Sequence, residues 1–332
     1  MSNKEECPIF KVDDIDLGDS DQNKDHELVG ILKRRINALK KIDYNFAKIK
    51  AQHFKDSYSL DCKYHNLYTP FFEKRAAIVK GEYDPTEEEA DWPYEPETNL
   101  IEELERMIYA KGIDKNVRGI TDFWLTIFMK VEVLRDMVQP HDAPILKHLI
   151  DIRLIIKEEP MSFILEFHFT PNEFFTNTVL TKEYLMKYDP DENPSKFKGP
   201  QLSKCLGCNI NWAPNKNVTI KIVQRKQKNA TSDQTVEKTV KNCSFFNFFT
   251  PPTMPEKSEL EDGIKEELAN YLTDDFKIGL LMKNRIIPRA VYFYTGEGID
   301  DDFEEEEYDE NEDEEKISES EVDKPNFNCT IL

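Results

Sequence analysis

Residues 26–68, HELVGILKRRINALKKIDYNFAKIKAQHFKDSYSLDCKYHNLY, contain no proline and a single glycine, Gly30. Within them Leu32, Ile36, Leu39, Ile42, Phe46, Ile49, Leu60, Tyr64 and Leu67 recur at helical intervals, mostly three or four residues apart. Apolar residues at that spacing fall on one stripe of an α-helix and approach a heptad seam. At 1.5 Å per residue such a helix would be ~65 Å long. A body of the remaining size would be only ~40 Å across. Part of the helix therefore has to overhang its own domain with an apolar stripe uncovered. A second copy is the simplest cover, and the alternative is a helix that breaks and packs within its own domain.

Thr69-Pro70 reads as a fresh helix start, with Thr69 as cap and proline in the first turn. That second helix should stop at Gly81. The segment EYDPTEEEADWPYEPET then reads as a loop. NLIEELERMIYAKG, ITDFWLTIFMKVEVLRDMV and APILKHLI follow with helical patterns. From Asp151 the texture becomes β-branched and aromatic, in IRLIIK, SFILEFHF, NTVLTKEYL and VTIKIVQ. VTIKIVQRKQKNATSDQTVEKTVKN looks like two strands joined by a polar tip. SFFNFF is too aromatic to face solvent and reads as core. Helical patterning returns in EKSELEDGIKEELANYL and DDFKIGLLMKNRI. Helices, then strands, then helices predict an α+β fold with an antiparallel sheet.

The charge is unevenly placed. The chain of 332 residues has 44 Lys and Arg against 65 Asp and Glu, a formal charge of −21. Residues 297–324 hold 17 acids and 2 lysines, and residues 1–27 hold 9 acids and 3 lysines. These two ends account for the whole excess, so the body between them is neutral. Acid-rich ends with few apolar residues are expected to be disordered. They repel nucleic acid and anionic membranes and attract basic proteins. The core of the C-terminal run, Asp300, Asp301, Asp302, Phe303, Glu304, Glu305, Glu306, Glu307 and Tyr308, sets two aromatics among carboxylates.

Signatures of chemistry are scarce. There is no glycine-rich nucleotide loop and no Gly-x-Ser-x-Gly elbow, and with 11 glycines few backbone cradles for phosphate are available. No cofactor and no enzyme activity are expected. Cys205-Leu206-Gly207-Cys208 is a lone Cys-x-x-Cys lacking the second pair that zinc normally requires, so its cysteines read as structural. Arg225, Lys226 and Lys228 form a small basic cluster at the hairpin, either a nuclear import signal or a solvated turn. No run of ~20 apolar residues could span a bilayer. The final residues, Cys329-Thr330-Ile331-Leu332, match a prenylation box. A single lipid beside an acidic segment is a weak anchor, so no stable membrane association is expected.

Several long phrases together resemble the nucleosome assembly protein family of histone chaperones: KYHNLYTPFFEKRAAIVKGEYDPTEEE, GITDFWLTIF, LEFHFTPNEFFTNTVLTKEYLM, GCNINWAPNKNVTIKI, SFFNFFTPP and IIPRAVYFYTGEGIDDD. They run in the family's order over residues ~28–303. The resemblance implies a long antiparallel dimerisation helix and short following helix over 27–81, an α+β histone-binding "earmuff" domain over 82–296, and acidic ends over 1–26 and 297–332. It implies a homodimer that binds core histones, with no direct nucleic-acid ligand, and that shuttles between nucleus and cytoplasm with import and export receptors. Leu32, Ile36, Leu39 and Ile42 would serve dimer packing, with nuclear export as the other use of the same side chains. Acidic positions carried over to histone binding are Asp142, Asp151, Glu259, Glu261, Asp262, Glu266 and Glu267, beside the C-terminal run. Two other readings remain: a relative of the SET type that masks histone tails or inhibits a phosphatase, and a prenylated adaptor recruited to membranes through Cys329.

Overall fold

The computed structural model describes residues 22–93, 118–188, 199–226, 235–253 and 262–298. Helix α1, Gln22–Lys80, is one element of 59 residues. It runs straight through Pro70, where the sequence predicts a break and a new cap. Thr69 caps nothing: its hydroxyl donates to the His65 carbonyl at 2.9 Å, within the helix. Proline removes one backbone donor, and packed residues on both sides, Tyr58 before it and Ala76 and Val79 after it, hold the helix in place. The stop at Gly81 is as expected, since that residue has φ +72°, a conformation glycine adopts without a Cβ penalty.

The chain divides into two compact units, the first comprising residues 1–57 and 188–199, the second 58–187 and 200–332. In the first, Ala47 and Ala51 are buried on one side of α1, and Phe54 stacks on Tyr188 with ring centroids 5.6 Å apart. The second unit holds the core. After the single-turn helix α2, Glu87–Ala90, come α3, Phe123–Lys130, α4, Glu132–Met137, and α5, Ala143–Leu146. The helical stretch predicted over ITDFWLTIFMKVEVLRDMV is thus interrupted, at Val131, whose backbone is extended. The helix predicted over NLIEELERMIYAKG lies outside the described residues.

Four antiparallel strands form a meander in the order β1-β2-β3-β4: β1 Leu149–Lys157, β2 Ser162–Phe169, β3 Val179–Lys187 and β4 Gln201–Leu206. Register aligns Ile152 with Phe167 and Leu180, and Ile156 with Phe163, Tyr184 and Cys205. Because strand side chains alternate, these share one face, and it is the buried one. A separate two-stranded ribbon pairs β5, Ile220–Lys226, with β6, Thr235–Lys241. Helix α6, Asp262–Leu281, continues through a π-helical turn, Met282–Ile286, before α7, Ala290–Thr295. The two helical patterns read at the C-terminal end of the body are therefore joined in α6.

SFFNFF does pack as core. Its 3-10 turn, Phe245–Phe249, buries Phe245, Phe246, Phe248 and Phe249. Phe249 meets Phe167 of the sheet edge-to-face at 5.1 Å, and Phe245 meets Phe128 of α3 the same way at 5.1 Å. Beneath them Lys182 is fully buried and pairs with Asp275 of α6 at 2.8 Å. The same ammonium donates to the Phe248 carbonyl and lies 4.2 Å from the Phe248 ring centroid. Tyr184 donates to the Asp275 carbonyl at 3.0 Å, and the Cys205 thiol to the Asp275 carboxylate at 3.2 Å. One buried ion pair thus ties together β3, β4, α6 and the aromatic turn.

Candidate interaction surfaces

The predicted stripe of α1 is uncovered. Leu32, Ile36, Leu39, Ile42, Phe46, Ile49, Leu60, Tyr64 and Leu67 each expose between 46% and 70% of their surface, and Leu28 and Phe71 extend the row at either end. Single exposed apolar residues are ordinary, but an aligned row of this length marks an interaction surface. Three pairs of the row mirror a point between Ile49 and Lys50: Leu28 and Phe71, Leu32 and Leu67, and Leu39 and Leu60 lie at equal distances on either side. Its charge is also polar: residues 28–43 carry five bases and one acid, whereas residues 56–71 carry two acids and one base. Two copies laid antiparallel bring leucine onto leucine and the basic half onto the acidic half.

Beside the C-terminal half of the row, a groove of about 390 Å³ is lined by Leu60, Tyr64, His65, Leu154 and Lys283 among others. Lys283 lies 3.7 Å from Asp61. Burial draws the lysine's pKa down while Asp61 opposes that shift. Burial likewise lowers His65, so its imidazole favours the neutral form.

The acidic positions separate into groups. Asp142 and Asp151, which the resemblance implies for histone binding, are buried and engaged within the fold. Asp142 is fully buried. Its carboxylate accepts from the Ser244 hydroxyl at 2.6 Å, from Phe245 N at 2.7 Å and from Gln139 N at 2.9 Å. It anchors the aromatic turn by satisfying backbone donors that would otherwise be buried unpaired. Asp151 is also buried and is held by Arg153 at 2.8 Å, with Lys80 at 3.9 Å. Glu266 and Glu267 stand exposed on α6. Asp262 opens that helix. Glu259, Glu261 and residues 300–308 lie outside the described residues, as do Lys228 and Cys329. Arg225 and Lys226 fall at the end of β5.

The Cys-x-x-Cys pair is part of the core. Cys205 is buried and its thiol is pushed up to about 12, chiefly by burial. The Cys208 sulfur accepts from Thr181 N at 3.2 Å. Between them, a Cβ on Gly207 would come within 1.8 Å of the Phe249 carbonyl, so this turn closes directly onto the aromatic segment. Among the described residues no cluster of three metal-ligating side chains occurs. Thiolate is the reactive form. With its pKa near 12, Cys205 at pH 8 should react with iodoacetamide about 10³-fold more slowly than an ordinary thiol. Peptide mapping should find it alkylated only after unfolding. Native labelling at the ordinary rate would contradict this burial.

Comparison with known proteins now places the chain. A family model described as "Nucleosome assembly protein (NAP)" matches residues 34–297. Nucleosome assembly protein 1-like 1 of Homo sapiens is 45% identical over 282 residues, covering 82% of this chain and 71% of that protein. Nucleosome assembly protein 1-like 1-A of Xenopus laevis is 47% identical over 288 residues, covering 84% and 72%. Among solved structures, nucleosome assembly protein 1 from Plasmodium knowlesi is 26% identical, covers 85% of this chain and 99% of its own, and superposes with a TM-score of 0.47. With the family model extending over most of its length and vertebrate relatives nearly half identical to it, this chain belongs to the nucleosome assembly protein family.

Proposed function

We propose that the protein is a dimeric histone chaperone that binds and shields core histones and takes part in nucleosome assembly and disassembly. The observation that carries this reading is membership of a family named for nucleosome assembly, in a chain whose excess charge is concentrated at its ends. Histones are basic and bind DNA through phosphate contacts whose strength falls steeply with salt. A protein that handles them must cover that basic surface reversibly. A folded domain supplies shape, and an attached acidic run supplies steering and a high local concentration of carboxylate.

Dimer formation through α1 is part of the proposal, supported by the uncovered apolar stripe. An antiparallel pair would cover the apolar row of both copies at once, as an isologous interface requires. The reading calls for no cofactor and no catalytic residue. It also takes in movement between nucleus and cytoplasm through import and export receptors, supported only by the hairpin's basic residues and the α1 leucines.

A titration of fluorescently labelled core histones tests the reading, comparing the full chain with a version ending at Gly298 and with Glu266→Gln/Glu267→Gln. The truncated form is expected to bind about 10–100-fold more weakly at low salt, because steering and local carboxylate concentration are lost. The double substitution should weaken what the core retains. Complete loss of binding on truncation would leave the folded domain with no role of its own. No binding by the full chain would reject the chaperone reading.

A further inference from the structure

We propose that the β5–β6 ribbon is a docking site for the protein's own acidic run, residues 300–316. The ribbon stands out in this chain. Between Ile220 and Lys241 the sequence holds six bases and two acids, although the protein as a whole has a charge of −21. Register sets Lys221 opposite Val240, Val223 opposite Lys238, and Arg225 opposite Val236. Alternation along each strand puts these three pairs at positions of one face. In the first two rows a cation stands beside an apolar residue, with the order reversed between them. No carboxylate occupies any of these six positions. The ribbon pairs only with itself, apart from the main sheet. Lys221 and Lys238 on this face are exposed, as is Lys241 on the other face, opposite Ile220, and none of the three makes an ion pair among the described residues.

The segment that fits such a face carries carboxylates with occasional apolar groups between them. Residues 300–316 hold thirteen carboxylates, one lysine, and the aromatics Phe303 and Tyr308. The run begins two residues beyond Gly298, the end of the described body. At ~3.3–3.6 Å per extended residue, the 18 residues from Gly298 to Lys316 reach up to ~60–65 Å, longer than a domain of this size is across. Tethering raises the effective concentration of the run to about the millimolar range, so the contact needs little intrinsic affinity. It is electrostatic and exposed, hence sensitive to salt. Its consequence is competition. An external polyanion must displace the run before it reaches the ribbon, and a basic client that takes up the run leaves the ribbon bare. The inference rests on charge and register, and its test uses no histone, so it stands or falls apart from the chaperone reading.

The full chain is the test object. Zero-length carbodiimide coupling at low salt should join Asp or Glu of residues 300–315 to Lys221 or Lys238, in preference to Lys241 on the opposite face, as read by peptide mapping. The yield should drop at least about tenfold in 0.5 M salt. A second variant replaces the acids of 300–315 by Asn and Gln in the full-length protein. It should elute from heparin at higher salt than the parent, and Lys221→Gln/Lys238→Gln should cancel that gain, whereas Lys241→Gln on the opposite face should cancel little of it. These lysines are exposed, and circular dichroism of each variant checks that it is folded. Cross-links scattered over other lysines, or heparin retention indifferent to Lys221→Gln/Lys238→Gln, would overturn the proposal.

Discussion

Leu39→Asp is expected to turn a micromolar solution of dimer into monomer, as read by multi-angle light scattering. Leu39 is 61% exposed on the isolated chain and lies at the mirror position of Leu60, itself 52% exposed. In an antiparallel pair the substitution appears twice, at two sites related by the dimer axis. Each site loses the burial of a leucine, about 1.5–3 kcal/mol, and gains an unpaired carboxylate whose desolvation costs several kcal/mol more. A total of about 6 kcal/mol or more weakens dimerisation at least ~10⁴-fold. Leu39→Met, which keeps the volume and the apolar surface, should leave the dimer intact. Orientation has its own readout. Ile49 sits beside the proposed axis, so Ile49→Cys should form a covalent dimer on oxidation. Leu32→Cys should do so only when combined with Leu67→Cys in the same chain. A parent protein that runs as a monomer, or a Leu32→Cys variant that cross-links alone, would remove the antiparallel interface.

The second large effect is on stability. Lys182→Met should lower the free energy of unfolding by about 3–5 kcal/mol, because Asp275 would remain buried without its cation. For a body of this size that corresponds to a fall in Tm of roughly 6–20 °C. Joining Lys182→Met with Asp275→Leu should recover much of the loss, since a buried ion pair replaced by apolar residues of similar volume is often neutral or better. The carboxylate also takes the Cys205 thiol, so recovery should fall short of complete unless that donor finds another partner. Differential scanning calorimetry of the two single variants and the double variant closes a mutant cycle. Below the transition, histone affinity should be unchanged in all three, because the pair is sealed inside the second unit. A double variant less stable than either single one would mean that the pair contributes net stability well beyond this account.

Much of this was legible in the residues. The α1 stripe followed from spacing alone, since a helix that long cannot hide nine apolar side chains within its own domain. The aromatic turn was legible as core because four phenylalanines in five residues have nowhere else to go. Other features were not. Pro70 reads locally as a break, but its missing donor was outweighed by contacts flanking it in tertiary structure. Strand β4, QLSKCL, has lysine and serine at its exposed positions and no run of β-branched residues, so only pairing with β3 reveals it. The burial of Asp142 and Asp151 was not legible, because a carboxylate's letter says nothing about burial: one is held by a turn, the other by Arg153. Lys182 could have been found by parity. In VLTKEYLMK the inward positions are Leu180, Lys182, Tyr184 and Met186, and a lysine in such a set demands an acid across the core.

The mirror arrangement of the α1 stripe also constrains the length of the helix. Each residue added or removed turns the remainder of the helix by about 100° around its axis. A single deletion between Leu32 and Leu67 would swing one half of the row out of line with the other. The error would recur at both ends of the antiparallel pair, with leucines facing charged residues twice over. Substitutions that keep an apolar side chain leave this geometry alone, whereas any change of frame breaks it. In the proposed antiparallel pair, this helix would tolerate an apolar substitution better than a change in its residue count.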